Sequence, residues 1–359
     1  MTSPNSHGLK LSYSPQLDGL RAICVIFTMF NHLDTKPVFV NGTVGVDVFF
    51  ALSGFLITAI LLDSDWSGLR QFYIRRFFRI APVYYLCLAA TFAATLAMHQ
   101  LKIGLSRIDQ LADVLIPSLL MSRELASAPT LFGHAWTIGI EEKFYIIWPL
   151  IFFAARTISA RMALLLIISA AFFLWGDREL FRGYAGIAFG CMASILYFKR
   201  GFVANIHVGA ACLVAAYIYC ATMDVWHENI MISAASALFI PSLFARESIY
   251  SRCLSHPGLA FLGKLTFSIY MLHVLIFNAA KLLVKNAGAT HWTLVFAIGY
   301  ASTVAVAWIV YRYIEHPLIV YGRRRAAEQG PPRLEVLAHV VPHAVAVNPT
   351  EGTRINKLT

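Results

Sequence analysis

Five groups of polar residues interrupt otherwise apolar stretches of this chain, and each combines residue types that can do chemistry. Arg21, Thr28 and His32 recur at steps of seven and four in QLDGLRAICVIFTMFNHL, which brings them close to one face of a helix. Arg21 and His32 are then about 16 Å apart along the axis. A lone histidine among apolar residues is ordinarily a hydrogen-bonded packing group. His32 follows Asn31 and shares its stripe with an arginine, which favours a chemical role. Asp47, Gly54 and Thr58 share a face in GTVGVDVFFALSGFLIT. A carboxylate there needs a partner. Pairing with Arg21, orientation of His32 and a plain structural ion pair all meet that need. Arg75, Arg76 and Arg79 crowd FYIRRFFRIAPVYYL. Arginine grips phosphate through two parallel hydrogen bonds, and a charged stop at the membrane surface is the plainer alternative.

In HAWTIGIEEKFYIIWPL the stripe is His134, Ile138 and Glu141. Glu142 points about 100° away, so the two acids are not expected to enter one site together, and Lys143 is placed to neutralise one of them. Trp136, Tyr145 and Trp148 also suit a membrane interface. Thr266, Tyr270 and His273 stand at i, i+4 and i+7 in FLGKLTFSIYMLHVLIF. They line either a wet cavity or a hydrogen-bonded seam between helices.

The elements that must carry these residues are helices in a bilayer. The chain is 58% hydrophobic and only 13% charged, whereas a soluble domain carries about a quarter charged residues. Apolar stretches of roughly 17–25 residues recur, the length of a membrane-crossing helix. Strict alternation is absent, which excludes a membrane barrel. The expected fold is an all-α integral membrane bundle of about ten transmembrane helices. The spans fall near 17–34, 42–62, 76–98, 134–154, 162–176, 183–198, 204–222, 229–245, 259–283 and 291–314. The stretch 99–133 is a long connection. Residues 1–16 form a cytoplasmic N-terminal segment, 17–321 the transmembrane domain, and 322–359 a polar tail expected to be disordered. No cleavable signal peptide is visible.

The net charge of +10 does not point to nucleic acid. Lys and Arg sit in short loops between apolar spans and report topology in a lipid bilayer, with both termini cytoplasmic. The six cysteines have neither CxxC pairing nor zinc spacing. They read as small apolar fillers, and no metal site is expected.

Taken in order, QLDGLRA with its following His, GVDVFFALSGFLIT, FYIRRFFRIAPVYY, WTIGIEEKFYIIWPL, LGKLTFSIYMLH and YRYIEHPL resemble the membrane acyltransferase-3 family over roughly residues 13–321. Thr266-Phe267 stands where Ser-Tyr is common, and His316 where Lys is frequent. Those departures touch the acceptor side of the pattern more than the reaction.

The resemblance implies an acyl-CoA donor, often acetyl-CoA, used as substrate with no permanently bound cofactor. It implies a hydroxyl acceptor on a carbohydrate or glycoconjugate, such as lipopolysaccharide or exopolysaccharide, at a bacterial inner membrane. Carried over by position, it points to Arg21, His32, Asp47, Arg76, Arg79, Trp136 and Glu141 or Glu142.

The expected catalytic set is therefore His32, Asp47, Glu141 and Glu142, with Arg21, Arg75, Arg76 and Arg79 on the donor. Trp136, His134, Tyr270 and His273 are expected around the acceptor pocket. His32 would serve as general base and Asp47 would orient it. A proton-coupled transporter of a small polar solute would also place His, Asp, Glu and Arg inside the membrane; a non-catalytic receptor or scaffold is a further alternative. The transporter reading is weakened because the two halves show no inverted hydropathy repeat.

Overall fold

The computed structural model describes residues 13–33, 41–101, 109–126, 132–175, 178–222, 228–286 and 291–329. The described residues are helical, with no strand among them. The helices are α1 (Pro15–Phe30), α2 (Val44–Leu62), α3 (Leu69–Gln100), α4 (Asp109–Leu119), α5 (Trp136–Ala154), α6 (Ile158–Trp175) and α7 (Arg178–Arg200). They continue with α8 (Ile206–Thr222), α9 (Glu228–Ala245), α10 (Ile249–Leu254), α11 (Pro257–Asn286), α12 (Trp292–Val310) and α13 (His316–Ala327).

Local signals explain several boundaries. Pro15 opens α1 where its missing N–H is harmless. Ser248 and Ser251 close a reciprocal capping box at the start of α10. Pro82, Pro117, Pro149 and Pro241 lie inside α3, α4, α5 and α9, as buried membrane helices tolerate. Between α12 and α13 the backbone widens into a π-helical turn, Tyr311–Glu315.

Among the described residues, four helical stretches are long and apolar enough to cross a membrane, by length and composition: Val44–Leu62, Trp66–Gln100, Pro257–Lys285 and Trp292–Ala327. Shorter apolar helices cover Ile158–Ala171, Ile206–Thr222 and Ile230–Ala245.

Several expected boundaries move. The third span starts before the arginine cluster, so Arg75, Arg76 and Arg79 are helical. The long connection contains α4. Residues 322–327, expected to open the tail, are the end of α13, because Gly322 seats on Phe78 and Tyr321 packs on Phe78 at 5.0 Å. Residues 330–359 of that tail, and residues 1–12, lie outside the described residues.

The core forms where α2 runs through the bundle. One apolar cluster joins α1, α2, α7, α8 and α9; a second joins α1, α3, α11 and α12; a third joins α2, α5, α6 and α7. Close approach of α2 and α7 rests on glycine. A Cβ at Gly54 would strike the Ile187 carbonyl, and one at Gly190 the Ala51 carbonyl, the small-residue packing that membrane helices favour. Asp47, fully buried on α2, ties the same two helices together through Arg182 of α7.

Candidate active site

A cavity of about 170 Å³ lies between α1, α2, α3, α5, α11 and the π-turn. On α2 its lining runs from Val46 to Ile60, about 21 Å along the helix axis. At one end stand Phe72, Gly263 and Lys264; at the other stand Val46, Phe49, Phe50, Thr137, Ile138 and Tyr270.

The first end is cationic. Arg21, Arg76, Arg79 and Lys264 line the cavity, against Glu141 and Glu315. Asp18 stands behind Arg21, 2.9 Å from Nη1. Arg76 is held more completely: Nη2 lies 3.7 Å from Glu141 Oε2 and 3.3 Å from Glu142 Oε1. Its guanidinium also stacks 3.4 Å over the centre of the Tyr145 ring. Ser53 donates to Glu141 Oε1 at 3.1 Å and the Tyr145 hydroxyl to Oε2 at 3.3 Å. Arg79 makes no ion pair among the described residues, and Glu315 is the carboxylate whose field reaches it. Glu315 itself accepts from Ser268 Oγ at 2.5 Å. The π-turn aims Glu315 at the cavity, a frequent use of such turns. Arg79 and Lys264 are thus left to meet an anion in the cavity.

The second end is closed by hydroxyls. The Tyr270 hydroxyl lies 2.7 Å from the His134 carbonyl oxygen and 2.7 Å from Thr137 Oγ1. One turn beyond, three imidazoles gather. His32 lies 4.7 Å from His273, and His273 lies 5.0 Å from His134, between ring centres. His273 is fully buried, and its Nδ1 sits 2.6 Å from the Tyr270 carbonyl oxygen. A carbonyl only accepts, so Nδ1 carries the proton and Nε2 presents a lone pair in the neutral ring. That Nε2 is buried with no hydrogen-bond partner. His32 is half-buried and lies beyond the end of α1.

A family model described as an acyltransferase domain matches residues 14–312, most of the chain. The chain belongs to the membrane acyltransferase-3 family. Its curated relatives include a putative peptidoglycan O-acetyltransferase YrhL of Bacillus subtilis, 25% identical over 358 residues and covering 87% of this chain and 56% of the relative. The O-acetyltransferase OatA of Staphylococcus aureus is 27% identical over 354 residues, covering 85% of this chain and 57% of that protein. The peptidoglycan O-acetyltransferase OatA of Listeria monocytogenes is 24% identical over 351 residues, with 85% and 56% covered. The chain spans little more than half the length of these relatives. No solved structure matches it.

Within this acyltransferase domain, the residues singled out from sequence divide into three groups. Arg21, Arg76, Arg79, Glu141 and Tyr270 line the cavity. His32, His134 and His273 form the cluster beyond it. Asp47, Arg75, Trp136 and Glu142 do neither. Asp47 is not the partner of Arg21 or the orienter of His32. Both its oxygens bond to Arg182, at 2.5 and 2.9 Å, because α7 rather than α1 presents the guanidinium facing it. Arg75 turns toward α13, where Arg323 is the charge it feels. Trp136 packs edge-on against Phe50 at 5.9 Å.

Two further expectations change. Glu141 and Glu142 do meet a common group, since Arg76 is long enough to reach both faces of α5. Lys143 pairs instead with Glu124. Residues that sequence reasoning passed over are Ser53, Thr137, Arg182, Lys264 and Glu315. Glu315 had a signal, an acid inside the closing motif YRYIEHPL; Arg182, one of two arginines in RELFRGY, had none.

Proposed function

We propose that this domain transfers a short acyl group from acyl-CoA to a hydroxyl of a sugar or glycoconjugate. The observation that carries the reading is the cavity itself: cations at one end, and a histidine cluster one helical turn beyond the other. Arg79, Arg21 and Lys264 would hold the phosphates of the donor by charge-assisted bonds. The arm bearing the thioester would lie along α2 among Phe49, Phe50 and Ile57, apolar groups that exclude water.

His32 would take the acceptor's proton as its oxygen attacks the thioester carbonyl. The C–S bond then breaks, and the thiolate leaving with CoA recovers the proton from the imidazolium. The names of the relatives, O-acetyltransferases and in two cases peptidoglycan O-acetyltransferases, support acetyl as the group and a cell-envelope sugar as its destination. About ten spans with both termini cytoplasmic would put the cationic end on the side where acyl-CoA is made.

The test uses purified protein in lipid nanodiscs. Acetyl-CoA at a hundredfold excess over its dissociation constant should stabilise the fold by about 2.7 kcal/mol. Labelled acetyl should then appear on saccharide fragments of the cell envelope. Neither protection nor transfer with any short-chain acyl-CoA would defeat the reading, and uptake of a solute into vesicles would replace it with transport.

A further inference from the structure

The cavity and the histidine cluster meet at Tyr270, whose ring lies 5.5 Å from both His134 and His273. None of His32, His134 and His273 lines the cavity, and the groups between them are Tyr270 and Thr137. Thr137 Oγ1 has two acceptors in reach, the Tyr270 oxygen at 2.7 Å and the His134 carbonyl at 3.5 Å. The Tyr270 hydroxyl has one hydrogen, which goes to the His134 carbonyl, an acceptor only. Thr137 therefore donates to the nearer acceptor, the Tyr270 oxygen. With its donor and acceptor both engaged, that hydroxyl is not poised as an acid, base or nucleophile. It latches α11 to the start of α5 and lays its ring across the end of the cavity. The backbone of the same residue fixes the tautomer of His273.

We propose that Tyr270, latched by Thr137, is a positioning residue that partitions the donor cavity from the histidine cluster and so makes transfer selective for an acceptor hydroxyl over water. This rests on the acyl-transfer reading above. A thioester waiting at the Tyr270 wall has the ring between its carbonyl and the imidazoles that would activate an attacking oxygen. When the latch parts, the carbonyl meets the cluster and the hydroxyl presented there. With the latch weakened and no acceptor bound, water attacks the carbonyl carbon instead; the C–S bond breaks, free carboxylic acid forms, and the CoA thiolate takes up the proton that water loses.

Tyr270→Phe keeps the ring and removes both bonds of the latch, while Thr137 retains its 3.5 Å bond to the His134 carbonyl at the start of α5. Losing two buried hydrogen bonds should raise the open population by about tenfold or more. The rate of acetyl-CoA hydrolysis without acceptor, divided by the rate of transfer with acceptor, should rise by the same factor. Thr137→Val should raise it too, and Thr137→Ser, which keeps the hydroxyl, should not. A purely structural role would lower both rates together and leave the ratio unchanged, and that result would overturn the proposal.

A second measurement needs no donor. A single cysteine at Val46, in a chain with its native cysteines replaced, is probed in sealed vesicles with a membrane-impermeant maleimide on the histidine side. Labelling should be about tenfold faster with Tyr270→Phe; equal rates would refute the partition even if transfer from acetyl-CoA is confirmed. If the wild-type domain uses no acyl-CoA but labelling still accelerates, the donor reading fails and the partition stands.

Discussion

Replacing Arg182 by Ala separates two readings of Asp47. In the structure Asp47 is fully buried and gives both oxygens to Arg182, whose Nη2 also donates to the Thr43 carbonyl at 2.6 Å. Removing the guanidinium strands a carboxylate inside the bundle, a loss of about 3–5 kcal/mol. Asp47→Ala, which strands the guanidinium instead, should cost a similar amount. The double replacement should cost less than the two single ones added, because both charges leave together.

The assay is equilibrium unfolding in mixed micelles, followed by turnover per folded molecule. A stable Asp47→Ala protein with turnover lost would refute the structural assignment and restore Asp47 as the residue that orients the base. A stable Arg182→Ala protein would be equally damaging, since it would mean that the pair contributes nothing to holding α2 on α7.

Three further outcomes follow from the cavity and the cluster. Arg79→Ala should raise the KM for acyl-CoA about ten- to a hundredfold, the value of a charge-assisted phosphate bond, and Arg79→Lys should recover only part of it; steady-state kinetics checks both. Arg76→Ala should reduce the yield of folded protein more than Arg79→Ala does, because it leaves Glu141 and Glu142 without their shared cation, as size-exclusion profiles would show. His32→Ala should bind acyl-CoA normally while transfer falls by about 10²–10⁴; near wild-type turnover would move the base to His273, whose Nε2 already presents a lone pair.

Helix type was legible in the sequence, and so was the singling out of His32, His134 and His273, because both depend on short-range periodicity and on the rarity of polar groups in apolar runs. The partner of Asp47 was not legible. A helical wheel says which face a residue occupies but not which helix lies opposite, and α7 reaches α2 through Gly54 and Gly190, packing that no charge pattern announces. The expected separation of Glu141 from Glu142 fails for a related reason. Facing directions taken at Cβ ignore the length of arginine, and Arg76 spans the angle between them. His32 shows a third limit. A shared face with Arg21 requires a continuous helix, but α1 ends at Phe30 and the turn decides where the imidazole goes.

The π-turn between α12 and α13 lets this part of the chain absorb a difference in length. A wide turn holds one residue more than a regular one, so everything after Glu315 keeps the phase it would have without the extra residue. Forcing Tyr311–Glu315 into a regular helix without shortening it would rotate α13 by about 100°. Gly322 would then leave its seat on Phe78 and a bulkier neighbour would take its place, while Glu315 would turn away from Ser268. Homologous chains one residue shorter at this turn should therefore run through it as regular helix and dock their last helix in the same way.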